Sequence, residues 1–352
     1  MAIIDKPSDY FNTVLYTGNG STQSITGVGF QPDWVWQKTR NYDYSHSLVD
    51  VVRGASLNIF TNNTLADQTV TNGLTSFDSD GFSVGADLGW NASASDRNSK
   101  VAWNWLASNT TASNTQGDIT STVSANTTSG FSIVSYTGTG STATVGHGLG
   151  ATPSMIIIKE RNNATSWIVY HHKNTSAPAT DYLLLNSTQA TDDYADYFND
   201  TEPTSSVFTI DTAGDINGSS DTYIAYCFAE KKGFSKFGSY TGNGNADGTF
   251  VYTGFKPAFV IRKVTSASSD WIMQDNKRSE SGGSNQIRNY LFPNSSQAEV
   301  SSQDYFNIDF LSNGFKMRST DGGANGSGQT YIYMAFAENP FVTSTGIPTT
   351  AR

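Results

Sequence analysis

A single cysteine, Cys227, rules out an intrachain disulfide, so the fold must rest on packing and hydrogen bonds. It falls in an apolar run and reads as a small core residue. Charge is scarce too, at 15% of residues against ~25% in an average soluble domain. The 21 Lys and Arg are outnumbered by 31 Asp and Glu, leaving a formal charge of −10. Binding a phosphate backbone needs clustered bases, and here they are scattered, so no nucleic-acid partner is expected. No apolar run approaches the ~18 residues of a membrane-spanning helix. The opening MAIIDKPSDY has no basic region followed by an apolar stretch, so neither membrane insertion nor a secretory leader is expected. HExxH, CxxC and GxSxG are all missing. Only four histidines occur, and His171 and His172 are neighbours that a strand would point to opposite faces, away from any shared metal. No catalytic residue, metal site or cofactor is therefore assigned.

What the chain has in abundance is Ser, Thr, Asn, 32 Gly and aromatic residues, a mixture suited to strands joined by tight turns. It also repeats itself. Tyr16, Tyr136 and Tyr240 each open a Tyr-Thr-Gly-x-Gly phrase, and a proline follows 16, 17 and 17 residues later at Pro32, Pro153 and Pro257. After each proline comes an apolar run ending in a base six residues on: Lys38, Lys159 and Lys263. Trp167 and Trp271 share one later position, where the first copy has His46. Asn62, Asn186 and Asn294 recur with Ala66, Ala190 and Ala298 four residues on, and aromatic strands lie around Phe82, Phe208 and Phe315. Each copy closes on an aromatic-rich run around Trp103-Asn104-Trp105, Tyr226-Cys227-Phe228 or Met334-Ala335-Phe336. So many landmarks in one order define three diverged copies of one unit.

Each copy offers about seven strand-sized runs of ~4–8 residues and no helical period. The fold class expected is all-β, as three tandem antiparallel β-sandwich modules of jelly-roll type. Their bounds are 1–107, 131–232 and 233–340. Residues 108–130, rich in Ser, Thr and Asn, read as a linker that leaves the first module hinged, and 341–352 as an extended C-terminal arm. The post-proline strands are apolar on both faces, which marks strands covered on two sides. The glycines of the opening phrase supply positive φ for a tight turn.

Several residues invite a chemical reading. Asp192, Asp193, Asp196, Asp200 and Glu202 crowd one loop, but no other copy repeats them, so a solvated face is expected rather than a glycosidase pair. Asp78-Ser79-Asp80-Gly81 resembles the start of a calcium loop without its distant Glu, and reads as a turn. Asp50, His171 and Asp275 share a repeat position that reads as polar and partly exposed. Asn-x-Ser/Thr triplets at Asn91, Asn186 and Asn294 follow from composition and are not read as glycosylation sites. Six tryptophans fall at core-like repeat positions. Trp90 lies in a turn-like segment without a clear counterpart, and is the one candidate for an exposed binding aromatic.

The phrases Ser239-Tyr240-Thr241-Gly242-Asn243-Gly244 and Tyr223-Ile224-Ala225-Tyr226-Cys227-Phe228-Ala229-Glu230, and the run 331–338, resemble repeat modules of virion structural proteins from tailed phages, many of them marine and labelled tail-fibre-like. The resemblance covers Tyr16 to about Glu338 and is strongest in the second and third copies; the first has Trp-Leu-Ala where the others have Phe-Ala-Glu. It implies a non-enzymatic protein assembled in the host cytoplasm and displayed on the virion, as a tail fibre or adhesin or as a capsid decoration. Its implied partners are other virion proteins and further copies of itself, a homotrimer by analogy with fibres, with a host-surface glycan as a further candidate. Two other classes make different demands. A lectin-like protein needs an exposed aromatic beside polar loops in each copy. A polysaccharide-degrading enzyme needs two carboxylates facing across a groove.

Overall fold

Alternation along the strands decides the architecture, because successive side chains point to opposite sides of a sheet. The computed structural model describes residues 3–278, 285–301 and 303–349. In each module an opening strand pairs with the closing strand, which pairs in turn with the post-proline strand. These are Phe11–Thr17, Ser99–Trp105 and Trp34–Thr39 in the first module. They are Phe131–Thr137, Thr222–Phe228 and Met155–Glu160 in the second, and Ser235–Thr241, Thr330–Pro340 and Phe255–Val264 in the third. Further strands extend this large sheet outward from the post-proline strand. A smaller antiparallel sheet covers one of its faces, built on Gln23–Thr26 with Gly81–Val84, Ala143–Gly146 with Val207–Ile210, or Phe250–Tyr252 with Gly314–Met317. The chain is thus all-β, with three antiparallel sandwich modules in tandem.

The second face of each large sheet is covered as well. Val35, Ile156 and Val260 point into the cores of their own modules. Their neighbours Trp34 and Trp36, Met155 and Ile157, and Phe259 and Ile261 point the other way, into one apolar cluster shared by all three modules. The closing strands do the same, sending Val101, Trp103, Trp105, Ile224, Tyr226, Phe228, Ile332, Met334 and Phe336 into that cluster. Rings from different modules meet there: Trp105 lies 5.5 Å from Phe336, Phe228 lies 6.1 Å from Phe336, and Trp34 lies 4.7 Å from Tyr226. Six of the seven tryptophans sit in this shared core. Burying one large apolar side chain contributes about 1.5–3 kcal/mol. A module separated from its neighbours would therefore forfeit much of its stabilisation, and the three pack as one body.

The 108–130 stretch, expected to be a linker, is part of the second module. Ala112–Asn114 and Ser121–Asn126 extend its large sheet beyond the opening strand, and Ile119 and Val123 enter its core. Ser and Thr are compatible with strands, and a few apolar residues among them suffice for a half-buried edge. The first module is not hinged, since its large sheet lies against the shared core. The C-terminal arm also departs from expectation. Phe341 N donates to Gly254 O at 3.1 Å, and Val342 bridges Pro348, so 341–349 folds back as a turn; 350–352 lie outside the described residues.

Chain entries and exits gather at one end of the body. The starts of the opening strands meet the ends of the closing strands through Leu106 N to Tyr10 O, Ala229 N to Gly130 O and Ala337 N to Phe234 O, at 2.9, 2.7 and 2.8 Å. Ile4 N also bonds Lys232 O at this end, at 3.1 Å. The Tyr-Thr-Gly-x-Gly turns occupy the far ends of the same strands.

Candidate functional site

The polar residues with the most elaborate surroundings line the seams between modules, and equivalent positions meet at each seam. At the Trp167 position the side chain reaches a neighbour's backbone. Trp167 Nε1 donates to Phe60 O at 3.0 Å, and Trp271 Nε1 to Leu184 O at 2.9 Å. His46 takes this station in the first module. Its Nδ1 accepts from Trp36 Nε1 at 3.0 Å, which leaves the ring proton on Nε2, facing the Phe292 carbonyl but short of regular hydrogen-bond geometry. Phe60, Leu184 and Phe292 each lie two residues before a landmark Asn. Second against first, third against second and first against third make a closed ring.

A second tier repeats the pattern eight residues past each landmark proline. Arg161 Nε bonds Asp67 at 2.9 Å and Arg40 bonds Glu299 at 2.7 Å, while Thr191 N donates to Thr265 O at 3.0 Å. A third tier uses the position of Asp50, His171 and Asp275. Tyr226 donates its phenol to Asp50 at 2.8 Å, Trp103 its indole to Asp275 at 3.0 Å, and His171 Nε2 bonds Tyr333 O at 3.2 Å. The sequence reading placed these three residues at a partly exposed position. All three are fully buried, and each gains a polar partner from another module beside the local ones: Arg53 for Asp50, Arg278 for Asp275 and the Lys173 N–H for His171.

The seams differ in charge. Between modules one and two, Arg53 holds Asp50 at 2.6 Å and Asp67 at 3.2 Å. Between three and one, Arg278 holds Asp275 at 2.5 Å and Glu299 at 2.7 Å. Between two and three the same stations are neutral: His171, Asn174, Thr191 and Thr265, with Thr191 Oγ1 donating to Asn174 at 2.6 Å. Burial opposes the charge on Arg53, but Asp50, with Tyr226 and Asp67, outweighs it and raises the pKa. The same balance, struck by Asp275 and Glu299, raises that of Arg278. Burial drives His171 down to about 3, and its Nδ1 accepts from Lys173 N at 3.1 Å, so the ring is neutral.

The three landmark lysines are fully buried, and nearby acids such as Glu160 and Asp270 do not offset the cost of burying their charge. Lys38, Lys159 and Lys263 each donate to the carbonyl of the next residue, at 2.7, 2.7 and 2.8 Å. Burial lowers their pKa values to about 7, 8 and 8. Pro32 and Pro153 precede their strands, and Pro257 sits at a bulge, where a missing N–H does least harm.

Trp90 is not an exposed binding aromatic. It lies in the short helix Leu88–Asn91, fully buried in the first module's core with its ring 6.3 Å from Phe82. Its counterparts are Ile216 and Ala324, and all three carbonyls accept the phenol of the landmark tyrosine: Tyr16 at 2.8 Å, Tyr136 at 2.8 Å and Tyr240 at 2.7 Å. The residue that follows, Asn91, Asn217 or Asn325, is buried and binds the opening turn. Its Oδ1 accepts from Asn19 N, Thr139 N or Asn243 N at 2.9, 2.8 and 3.1 Å. Its amide Nδ2 donates to a carbonyl of the same turn: Ser21 O, Ser141 O or Asn245 O. Sequence reasoning missed this trio, although Asn followed by Gly or Ala and then Ser recurs in each copy. The two glycines of the opening phrase divide the work. Gly20, Gly140 and Gly244 take positive φ, whereas at Gly18, Gly138 and Gly242 a Cβ would meet a neighbouring carbonyl oxygen at 2.2–2.3 Å.

The remaining candidates stay apart. Asp192, Asp193, Asp200 and Glu202 are exposed and Asp196 is half-buried. Asp80 accepts from Gly27 N and Gly29 N at 3.1 and 2.6 Å, as expected of a turn. Asn186 and Asn294 accept the backbone N–H of Trp167 and Trp271, both at 2.9 Å. Among the described residues no group of three or more His, Cys, Asp or Glu is placed to hold a metal ion, and no helix is long and apolar enough to cross a membrane.

A family described as a domain of unknown function, DUF7483, matches residues 6–340, so its unit spans all three modules together. No curated protein matches the chain.

Proposed function

The chain belongs to the DUF7483 family, and from the three-module body that this family spans we propose a non-enzymatic structural protein, displayed on a phage virion and working through shape and assembly. The observation that carries the reading is the repeated seam set, buried or half-buried throughout. Buried polar groups fix modules to one another, which suits a rigid spacer or display platform. The likeness of the Tyr-Thr-Gly-x-Gly and Tyr-Ile-Ala-Tyr-Cys-Phe-Ala-Glu phrases to virion modules supplies the location.

Assembly with other virion proteins follows from this reading, and attachment to a host-surface glycan is its natural extension. Threefold assembly takes a particular form here. Three equivalent sheets already surround a common core within one chain, so copies of the chain would meet through outer surfaces and not through that core. The lectin alternative is weaker. Large exposed aromatics such as Tyr42, Tyr194 and Tyr305 occupy non-equivalent positions and offer no stacking platform repeated in each module. The acids of one loop that the polysaccharide-degrading alternative would use are exposed at Asp192, Asp193, Asp200 and Glu202 and half-buried at Asp196.

Mass spectrometry of purified particles of the encoding phage tests the proposal. Peptides from this chain at a fixed stoichiometry are expected. Their absence from intact particles would overturn it.

A further inference from the structure

The three seams are equivalent by position, and the differences between them single out one cavity. Between modules one and two, three stations hold Arg53, Asp67 and Arg161, and the Arg161 guanidinium reaches from Asp67 at 2.9 Å to the Ser135 hydroxyl at 3.5 Å. Between three and one they hold Arg278, Glu299 and Arg40. Between two and three the same stations hold Asn174, Thr191 and Thr265. Two guanidinium groups and a carboxylate are thus exchanged for an amide and two hydroxyls. A groove of about 600 Å³ lies at this seam, with all three of the shorter residues in its lining. That volume falls within the ~300–1,000 Å³ of small-molecule sites.

The lining has a definite chemistry. Eight of its eleven residues are Ser or Thr, and Lys173 is its one charged side chain among the described residues. Lys173 and Ser176 come from module two and are exposed. Ser239 and Thr241 come from module three, also exposed, on the face of Ser235–Thr241 that sends Phe237 into the shared core. The seam is also incomplete on its own. Asn174, 5% exposed, gives its Oδ1 to the Thr191 hydroxyl, and its Nδ2 has no partner among the described residues. Arg53 and Arg278, at the same station, each hold two acids. A buried donor left over in this way asks for an explanation, and a seam with a vacated station supplies one. A free phosphate is bound by several converging cations or N–H groups, whereas this groove has a single ammonium. Hydroxyls both donate and accept, which suits a ligand that is itself rich in hydroxyls.

We propose that this groove binds a short acidic saccharide, its hydroxyls paired with those of Ser176, Ser239 and Thr241 and its carboxylate with Lys173. The arginines that fill the other two seams make it one site per chain, unlike the repeated platform of a lectin built from equal modules. The inference gives a place to the glycan that the virion reading leaves unlocated, yet it stands on the seam comparison alone. Particle composition tests that reading, and binding by the purified chain tests this one.

The full chain is screened against an array of neutral, uronate-bearing and sialylated oligosaccharides, with calorimetry on those that bind. At least one carboxylate-bearing saccharide is expected to bind, one per chain and more tightly than its neutral counterpart. Asn174→Arg with Thr191→Asp and Thr265→Arg rebuilds the seam of modules one and two. It should keep the fold, as thermal unfolding reads, and weaken binding about tenfold or more. Lys173→Gln should bring the acidic ligand down toward its neutral counterpart, a loss of up to about fivefold for an exposed ion pair. Ser239→Leu, which copies Leu15 of the first module, obstructs the groove from an exposed position and serves if the triple variant does not fold. No binding to any member of the array at millimolar concentration, or binding that Ser239→Leu and a folded triple variant leave intact, would overturn the proposal.

Discussion

The indole of Trp103, in the first module, donates to the carboxylate of Asp275, in the third, at 3.0 Å across 172 residues of chain. This bond closes the ring, because the other two seams join modules that are consecutive in sequence. Trp103→Phe keeps most of the buried area and removes the donor. A hydrogen bond to a charged group is worth about 1.5–3 kcal/mol. Urea denaturation should show a loss of that order. The same change at Trp34, whose Nε1 has no partner among the described residues, should cost less.

Arg53 sits between two buried or half-buried acids; its loss leaves the buried Asp50 without a cation, while Asp67 keeps Arg161. Removing one partner of a buried pair costs about 3–5 kcal/mol, and Arg53→Met should fall in that range. The second module solves the same station with His171 and Asn174. Asp50→His with Arg53→Asn, which copies it, should therefore be milder than Arg53→Met alone, as read from denaturation midpoints. Equal losses would show that charge pairing at this seam is not what holds it.

Stability should rise with pH between about 7 and 9. Burial holds Lys38 near 7 and Lys159 and Lys263 near 8, below the 10.5 of an unperturbed lysine. Between those values the unfolded chain binds more protons than the folded one, so alkalinity favours folding. The contribution is complete above the unfolded value and is lost as pH falls through 8 and 7. Lys38→Met should flatten the dependence by up to about 1.4 kcal/mol per pH unit. The slope is the readout, since the variant also deprives the Thr39 and Tyr42 carbonyls of a donor. Parallel slopes for the two proteins would refute the assignment.

The two glycines of one turn should respond differently to alanine. Gly140 has φ +73, and a Cβ there would meet Ser219 Cβ at 3.2 Å, which asks only a small shift, so Gly140→Ala should cost about 1–2 kcal/mol, chiefly for a left-handed residue. At Gly138 the new Cβ would meet Gly218 O at 2.3 Å, and the backbone on both sides must move. Gly138→Ala should be the more damaging of the two in thermal unfolding.

Much of this arrangement was legible in the sequence, and what was not has physical causes. Met155 to Lys159 is apolar on both faces, which announces cover on two sides. Nothing in a strand says whether the second cover comes from its own module or from a neighbour, so the shared core was invisible. Asp50, His171 and Asp275 looked partly exposed because their types are polar, yet each is buried at a seam where a group of another module, Tyr226, Tyr333 O or Trp103, adds to its local partners. Trp90 seemed unmatched because its counterparts, Ile216 and Ala324, share a carbonyl and not a side chain. The strand Ser121–Asn126 was hidden by its Ser and Thr content.

Small-angle scattering on the full chain tests the closed ring most directly. A compact body of this length has a radius of gyration of about 20 Å. Three modules of ~13 Å each, strung in line on flexible connectors, would give about 30 Å. The ring predicts the smaller value at all concentrations where the chain is monomeric. The larger one would contradict it.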